Sequence, residues 1–111
     1  MAYDEELAER IRAEVAGEKN LTEMKMFGGL AFLVGGHMAV AVSGQGGLML
    51  RCDPDDTEAL LGEPGAGPMV MRNKEMRGWL RVDADAVEDD EALRGWVRRG
   101  TAYARSLPPK G

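Results

Sequence analysis

The sequence predicts an α+β fold in which one antiparallel sheet, of about four or five strands, packs in two layers against three helices. Two observations predict it: apolar residues recur at helical spacing near both ends of the chain, and alternating apolar runs between glycine-rich turns fill the middle. The expected order is helix, three strands, helix, one or two strands, helix. With 111 residues and 44% hydrophobic side chains, we expect one domain over residues 1–111.

The first helix is predicted over residues 4–16. Asp4 can accept the free amide hydrogens at its start, and Gly17 ends it. Its apolar residues recur every four positions: Leu7, Ile11 and Val15.

The stretch MFGGLAF, residues 26–32, places Gly28 and Gly29 inside an apolar run that alternates with a period of two. The apolar residues on both sides of the glycines share even positions: Met24, Met26, Leu30, Phe32 and Val34. A hairpin at the glycines would leave a short strand before them. We therefore predict one strand that bends at the glycine pair.

The alternative interpretation of this glycine pair is a cradle of backbone amides for an anionic ligand. Phosphate-binding glycines normally precede a helix and carry a following lysine or a G-x-G-x-x-G spacing, whereas more strand follows here. We expect the bend to receive the ring of Trp96 or another aromatic from a covering helix. The predicted structural motif comprises Met26, Phe27, Gly28, Gly29 and Trp96.

Two more strands are predicted over residues 37–43 and 48–52, after turns at Gly35–Gly36 and at residues 44–47. Asp53 followed by Pro54 signals a short helix.

That short helix should end at Gly62. Residues 62–68, with five Gly or Pro in seven positions, predict a loop, and residues 69–83 return to strand. The last helix should begin between Asp85 and Asp89 and end near Leu107. Its apolar stripe comprises Leu93, Trp96, Val97, Gly100, Tyr103, Ala104 and Leu107.

Composition argues against several classes of function. A net charge of −5 repels phosphate backbones and anionic membranes, so we expect no direct nucleic-acid or membrane contact. One cysteine and one histidine cannot supply a structural zinc site or a disulfide framework, and we expect no metal or cofactor. The acidic start lacks the features of a secretory signal, which predicts a cytoplasmic protein.

The candidate contact residues for a protein partner or an anion are Arg51, Lys74, Arg77 and Trp79. The three cations among them belong to a basic set, with Arg72 and Arg81, that neighbouring strands can bring to one edge of the sheet. The alternative is a solvated sheet face balanced by nearby glutamates. No catalytic residues are predicted, because nothing in the sequence places a nucleophile or carboxylate beside His37. Methionines in the strands are expected to fill the core, and a methionine-rich exposed groove is the alternative.

Four stretches together resemble the N-terminal domain of the TfoX (Sxy) family of competence regulators: MKMFGGLAFLVGGHMAVAV, GGLMLR, MRGWLRVD and ALRGWVRRGTAYARSL. The resemblance covers roughly residues 5–107. It implies a two-layer α+β fold like that of secretion chaperones and no known catalytic activity. Competence regulators of this kind carry a second, helical domain, whereas this chain ends in SLPPKG, so we expect a stand-alone first domain.

The resemblance and the lack of a catalytic set predict a non-enzymatic regulatory or protein-interaction module. The expected partner is another protein, with the transcription machinery as one candidate, and the chain is expected to be a monomer or a homodimer. The alternative function is a small anionic-ligand domain, or an enzyme, that uses the basic edge of the sheet.

Overall fold

The computed structural model of the protein describes residues 3–26 and 28–108 and confirms the α+β class. The helices are α1 (Glu5–Val15), α2 (Thr57–Leu61) and α3 (Asp90–Ser106), and short 3-10 turns at Pro54–Asp56 and Ala84–Val87 precede the last two. The strands are β1 (Leu21–Met26), β2 (Gly29–Val34), β3 (His37–Val42), β4 (Leu48–Arg51), β5 (Ala66–Met71) and β6 (Lys74–Val82). Within the described ranges, no helix is long and apolar enough to cross a bilayer.

All neighbouring strands run antiparallel in the order β1-β2-β3-β4-β6-β5, so β1 and β5 form the two edges. The predicted turn at Gly35–Gly36 is confirmed: φ is +61° and +85°, and Val34 pairs with His37. Such positive angles suit the tight turns of two-residue hairpins. The described sheet has six strands, slightly more than predicted.

The glycine pair does not bend one long strand, and that prediction is wrong. Met26 pairs directly with Gly29, so the chain reverses between them, and Gly28 has a φ of +77°. Phe27, part of the predicted motif, lies outside the described residues.

Gly29 is required for close approach of another backbone. A Cβ there would lie 2.2 Å from the carbonyl oxygen of Val42 and 3.2 Å from the amide nitrogen of Gly44. The atoms nearest to Gly29 are therefore backbone atoms of these neighbours, and the prediction that Trp96 fills this place is wrong.

The extra strand comes from the hairpin at the glycine pair, which divides the single predicted strand into β1 and β2, and β5 begins earlier than predicted. β5 begins at Ala66, so the last three residues of the predicted 62–68 loop belong to the sheet. Pro68 is tolerated because β5 is an edge strand, where a missing amide hydrogen removes no ladder bond. The turn to β6 uses Arg72 and Asn73 with φ of +52° and +64°.

The helices cover one face of the sheet and enclose the main core. The Asp4 side chain accepts a hydrogen bond from the Leu7 amide at 3.1 Å, which confirms the predicted start of α1. The largest fully buried side chains are Ile11, Val15, Phe32, Val40, Val42, Leu48, Leu50, Leu80, Val82, Val87, Leu93 and Val97. Trp96 packs in this core, and a Cβ on Gly100 would lie 2.3 Å from the Ala39 carbonyl oxygen, so α3 sits directly on β3.

Candidate interaction surface

The second face of the sheet, away from the helices, carries its own apolar surface. Ala31, Leu33, Ala41 and Met49 form a buried cluster there, and three half-buried methionines pack against it. Met24 lies opposite Ala31 in the register and therefore shares this face. We call this surface the methionine face; its apolar residues are Met24, Met26, Ala31, Leu33, Met38, Ala41, Met49 and Met69.

One row of directly paired residues crosses the methionine face from edge to interior. It runs from Met24 on β1 through Ala31, Ala41 and Met49 to Arg81 on β6. The two alanines at the centre of the row are fully buried, so the accessible part of this face is formed by the methionine side chains around them. The row is apolar over four strands and ends on a cation.

The prediction that the methionines fill the core is wrong for several of them. Met24 is 52% exposed and Met76 is 37% exposed, while Met26, Met38 and Met69 are half-buried. Thioether side chains are flexible and polarisable, so they can adapt to the shape of a bound partner. The methionine face therefore has the chemistry of an adaptable binding surface.

Arg51 lies at the end of β4, two residues after Met49 and opposite Trp79. Its guanidinium carbon lies 5.6 Å from the ring centroid of Trp79 and 5.6 Å from that of Tyr103. Attraction to two aromatic faces positions a cation. Among the described residues Arg51 forms no ion pair, so its donors can still bind a carboxylate.

Arg81 provides the cation of the methionine face itself, whereas Arg51 contacts α3 at the end of β4. Its guanidinium donates to the Ser43 hydroxyl and to the side-chain oxygen of Gln45, each at 3.4 Å. Both contacts are long and neutral, so the positive charge is not compensated by an ion pair within the described part of the chain. Arg81 on the methionine face and Arg51 at the end of β4 thus place two cations in this part of a protein whose net charge is −5.

The structure brings together two of the four predicted contact residues. Arg51 and Trp79 are direct cross-strand partners. Arg77 is instead exposed and pairs with Asp55 at 3.3 Å, and Lys74 lies opposite Met71 where β6 begins. The sequence places Tyr103 in the stripe of α3, but it contains no sign of the contact with Arg51.

Gly78 precedes Trp79 in β6, in the part of the strand where the register with β5 changes. Gly78 has a φ of +90°; its carbonyl oxygen accepts from the Cys52 amide at 2.8 Å, and its amide donates to the Thr57 hydroxyl at 2.9 Å. These bonds tie the start of α2 to both strands that carry the Arg51–Trp79 pair. The residues described contain no group of three or more His, Cys, Asp or Glu side chains arranged to hold a metal ion.

Cys52 should be an unreactive thiol. Burial raises its pKa, against a hydrogen bond with Thr57 that lowers it. We expect labelling by a disulfide reagent at neutral pH to be at least about tenfold slower than in the urea-unfolded chain. Equal labelling rates of the folded and unfolded chains would contradict this expectation.

The raised pKa of Cys52 also links folding to pH. The folded protein favours the neutral thiol, so its contribution to the free energy of unfolding is fully present below the pKa of the unfolded chain. That contribution is lost as the pH rises through the folded-state pKa.

Comparison with known protein families identifies the family of this chain. The model of the TfoX N-terminal domain matches residues 13–104, which is most of the 111-residue chain. The chain belongs to the TfoX N-terminal domain family. Membership indicates that this TfoX N-terminal domain is a regulatory domain of the competence-regulator type. Neither the curated proteins nor the solved structures yielded a match.

Proposed function

We propose that this TfoX N-terminal domain is a non-enzymatic regulatory module that binds a partner protein through its methionine face. One observation carries the proposal: the row from Met24 to Arg81 is apolar across four strands and ends on a cation without an ion pair among the described residues. Adaptable apolar surface with flanking arginines is typical of protein-interaction sites.

The same row defines the chemistry of the partner segment. Apolar side chains would pack against the accessible methionines Met24, Met38 and Met69, and carboxylates would bind Arg51 and Arg81. Arginine recognises carboxylates through paired hydrogen bonds, so an acidic amphipathic segment fits better than a neutral one. The family suggests a component of the transcription machinery as the protein that contains such a segment.

The wider properties of this proposal follow from charge and cysteine content. We place the domain in the cytoplasm, because a single cysteine fits a reducing compartment. We infer that it acts without direct contact to nucleic acid, because a net charge of −5 opposes phosphate. We assign it no catalytic step, since the methionine face offers cations and thioethers and no paired acid and base.

Capture from the native cell followed by methyl NMR tests the proposal. The domain, labelled at its methionine methyl groups, is titrated with the segment of the captured partner that binds it. We expect the signals of Met38 and Met69 to shift, while that of Met76, outside the methionine face, stays unchanged. Shifts confined to Met76, or none at all, would contradict the assigned surface.

A double variant tests the role of the two cations. Arg51→Ala with Arg81→Ala should weaken binding of that segment by at least about tenfold, because two charge-assisted contacts are removed. Arg94→Ala with Arg98→Ala removes the same charge from α3 and should leave affinity within about twofold. Equal losses in both double variants would mean that net charge, and not the methionine face, determines binding.

A second candidate function is the binding of a small anionic ligand at Arg51. The observation that favours it is the guanidinium positioned between Trp79 and Tyr103 at 5.6 Å from each ring. A thermal-shift screen of carboxylate and phosphate metabolites distinguishes the two functions. A compound that stabilises the wild type but not Arg51→Ala would support the ligand site, and a screen without such a compound would count against it.

A further inference from the structure

We propose that β1 pairs antiparallel with β1 of a second copy of this chain, in the one register that sets Glu23 of each copy opposite Lys25 of the other. The pairing would join two six-stranded sheets edge to edge. It goes beyond the binding of a partner protein and does not depend on it.

The availability of β1 is the first reason. β1 is an edge of the sheet, with β2 on one side and no described strand on the other. Its four middle residues, 22–25, are all exposed. Met24 is 52% exposed, one of the most exposed large hydrophobic side chains described. An edge strand with free backbone groups is a template for pairing with another chain.

The hydrogen-bonding phase of β1 limits how a second strand can pair. The Asn20 carbonyl accepts from the Gly35 amide at 3.1 Å, and Met26 lies opposite Gly29 at the tight reversal. Backbone groups alternate in direction along an antiparallel strand, so even-numbered residues bond toward β2. Leu21, Glu23 and Lys25 therefore direct their amide and carbonyl groups outward.

Charge then selects among the registers that this phase allows. In a twofold-symmetric pair, outward residues must lie opposite outward residues, so the axis passes through one residue, and the central choices are Thr22, Glu23, Met24 and Lys25. An axis at Thr22 sets Glu23 opposite Leu21 and forms no charge pair. An axis at Glu23 or Lys25 sets two like charges opposite each other, which destabilises a strand pair. An axis at Met24 sets opposite charges together twice, so β1 is complementary to itself in this register alone.

The existing contacts of Glu23 fit this arrangement. Arg12 on α1 donates to its carboxylate through two nitrogens, each at 2.8 Å, which orients Glu23 on the helix side of the sheet. This bonding lowers the pKa of Glu23, so the carboxylate stays charged. Lys25 of the second copy would approach from the same side, because residues directly opposite share a face.

The pairing would also join the two methionine faces. Met24 of each copy would lie opposite Met24 of the other in a non-hydrogen-bonded pair, where side chains are closest. The two rows that start at Met24 would then form one apolar surface across both sheets. Pairing would therefore bury the most exposed methionine described on this face.

Sedimentation velocity over a concentration series tests the inference. One strand pair buries little surface compared with a stable interface, so the series must extend to several hundred micromolar. The wild type should change from monomer to dimer. Lys25→Glu, which leaves the Arg12 contact intact, and Glu23→Lys should each weaken dimerisation at least about tenfold.

Mixing the two variants tests directly whether charge pairing between Glu23 and Lys25 determines the register. An equimolar mixture of Glu23→Lys and Lys25→Glu should regain the dimer, because a mixed pair sets opposite charges together at both contacts. Lys74→Glu makes the same charge change on β6 and should leave dimerisation unchanged; circular dichroism confirms that each variant is folded. A wild type that stays monomeric, variants that dimerise like the wild type, or a mixture without recovery would each overturn the proposed register.

Discussion

Replacing Gly100 by alanine is expected to lower the free energy of unfolding by about 2–3 kcal/mol, although alanine favours helix over glycine. The added Cβ would lie 2.3 Å from the carbonyl oxygen and 3.0 Å from the carbonyl carbon of Ala39. These are backbone atoms of β3, so α3 must move outward as a unit and separate from the core. Urea unfolding measures the loss in free energy of unfolding. In thermal unfolding, the melting temperature should be lower by roughly 10 °C.

Gly95→Ala is the matched control on the same helix. A Cβ there meets nothing within 4 Å, so the gain in helix propensity is not offset by a clash. We expect a stabilisation of about 0.5–1 kcal/mol. A lower free energy of unfolding for Gly100→Ala together with a higher one for Gly95→Ala would support the direct contact of α3 with β3. Stabilisation by both substitutions would show that α3 lies farther from β3 than described.

Gly29→Ala is also expected to have a large effect, lowering the free energy of unfolding by about 2–3 kcal/mol. The added Cβ would lie 2.2 Å from the Val42 carbonyl oxygen, so β2 and β3 must separate at the end of their ladder. Thermal unfolding and amide exchange of the two strands measure the change.

Gly28→Asn tests the neighbouring glycine, which needs a positive φ of +77° but has free space around its Cα. Asparagine tolerates this conformation, so we expect a cost below about 1 kcal/mol. If Gly28→Asn lowered the free energy of unfolding more than Gly29→Ala, the close approach of Val42 to Gly29 would be contradicted.

The helices and the order of elements are predictable from the sequence, but the fold at the glycine pair is not. Across the β1–β2 hairpin, Met24 pairs with Ala31 and Met26 with Gly29, so even-numbered residues of β1 face odd-numbered residues of β2. Met24 and Phe32 therefore lie on opposite faces despite their shared parity. Because β1 is an exposed edge strand, its own sequence does not reveal which side is buried.

Local sequence pattern also fails to predict the β5–β6 turn and part of the candidate site. The β5–β6 turn uses Arg72 and Asn73 at positive φ, where a glycine would have signalled a hairpin. Arg51 and Trp79 are predictable as a pair of neighbours on adjacent strands, but Tyr103 reaches them through the packing of α3. Contacts between distant elements of this kind depend on tertiary geometry, which periodicity does not encode.

All six strands precede α3 in the chain, and α3 supplies Leu93, Trp96 and Val97 to the core. During synthesis, the helix-facing side of the sheet therefore cannot be covered by α3 until residues 90–106 have left the ribosome. The nascent sheet would expose Phe32 and its neighbours meanwhile. Folding of this domain should accordingly complete only after translation of α3.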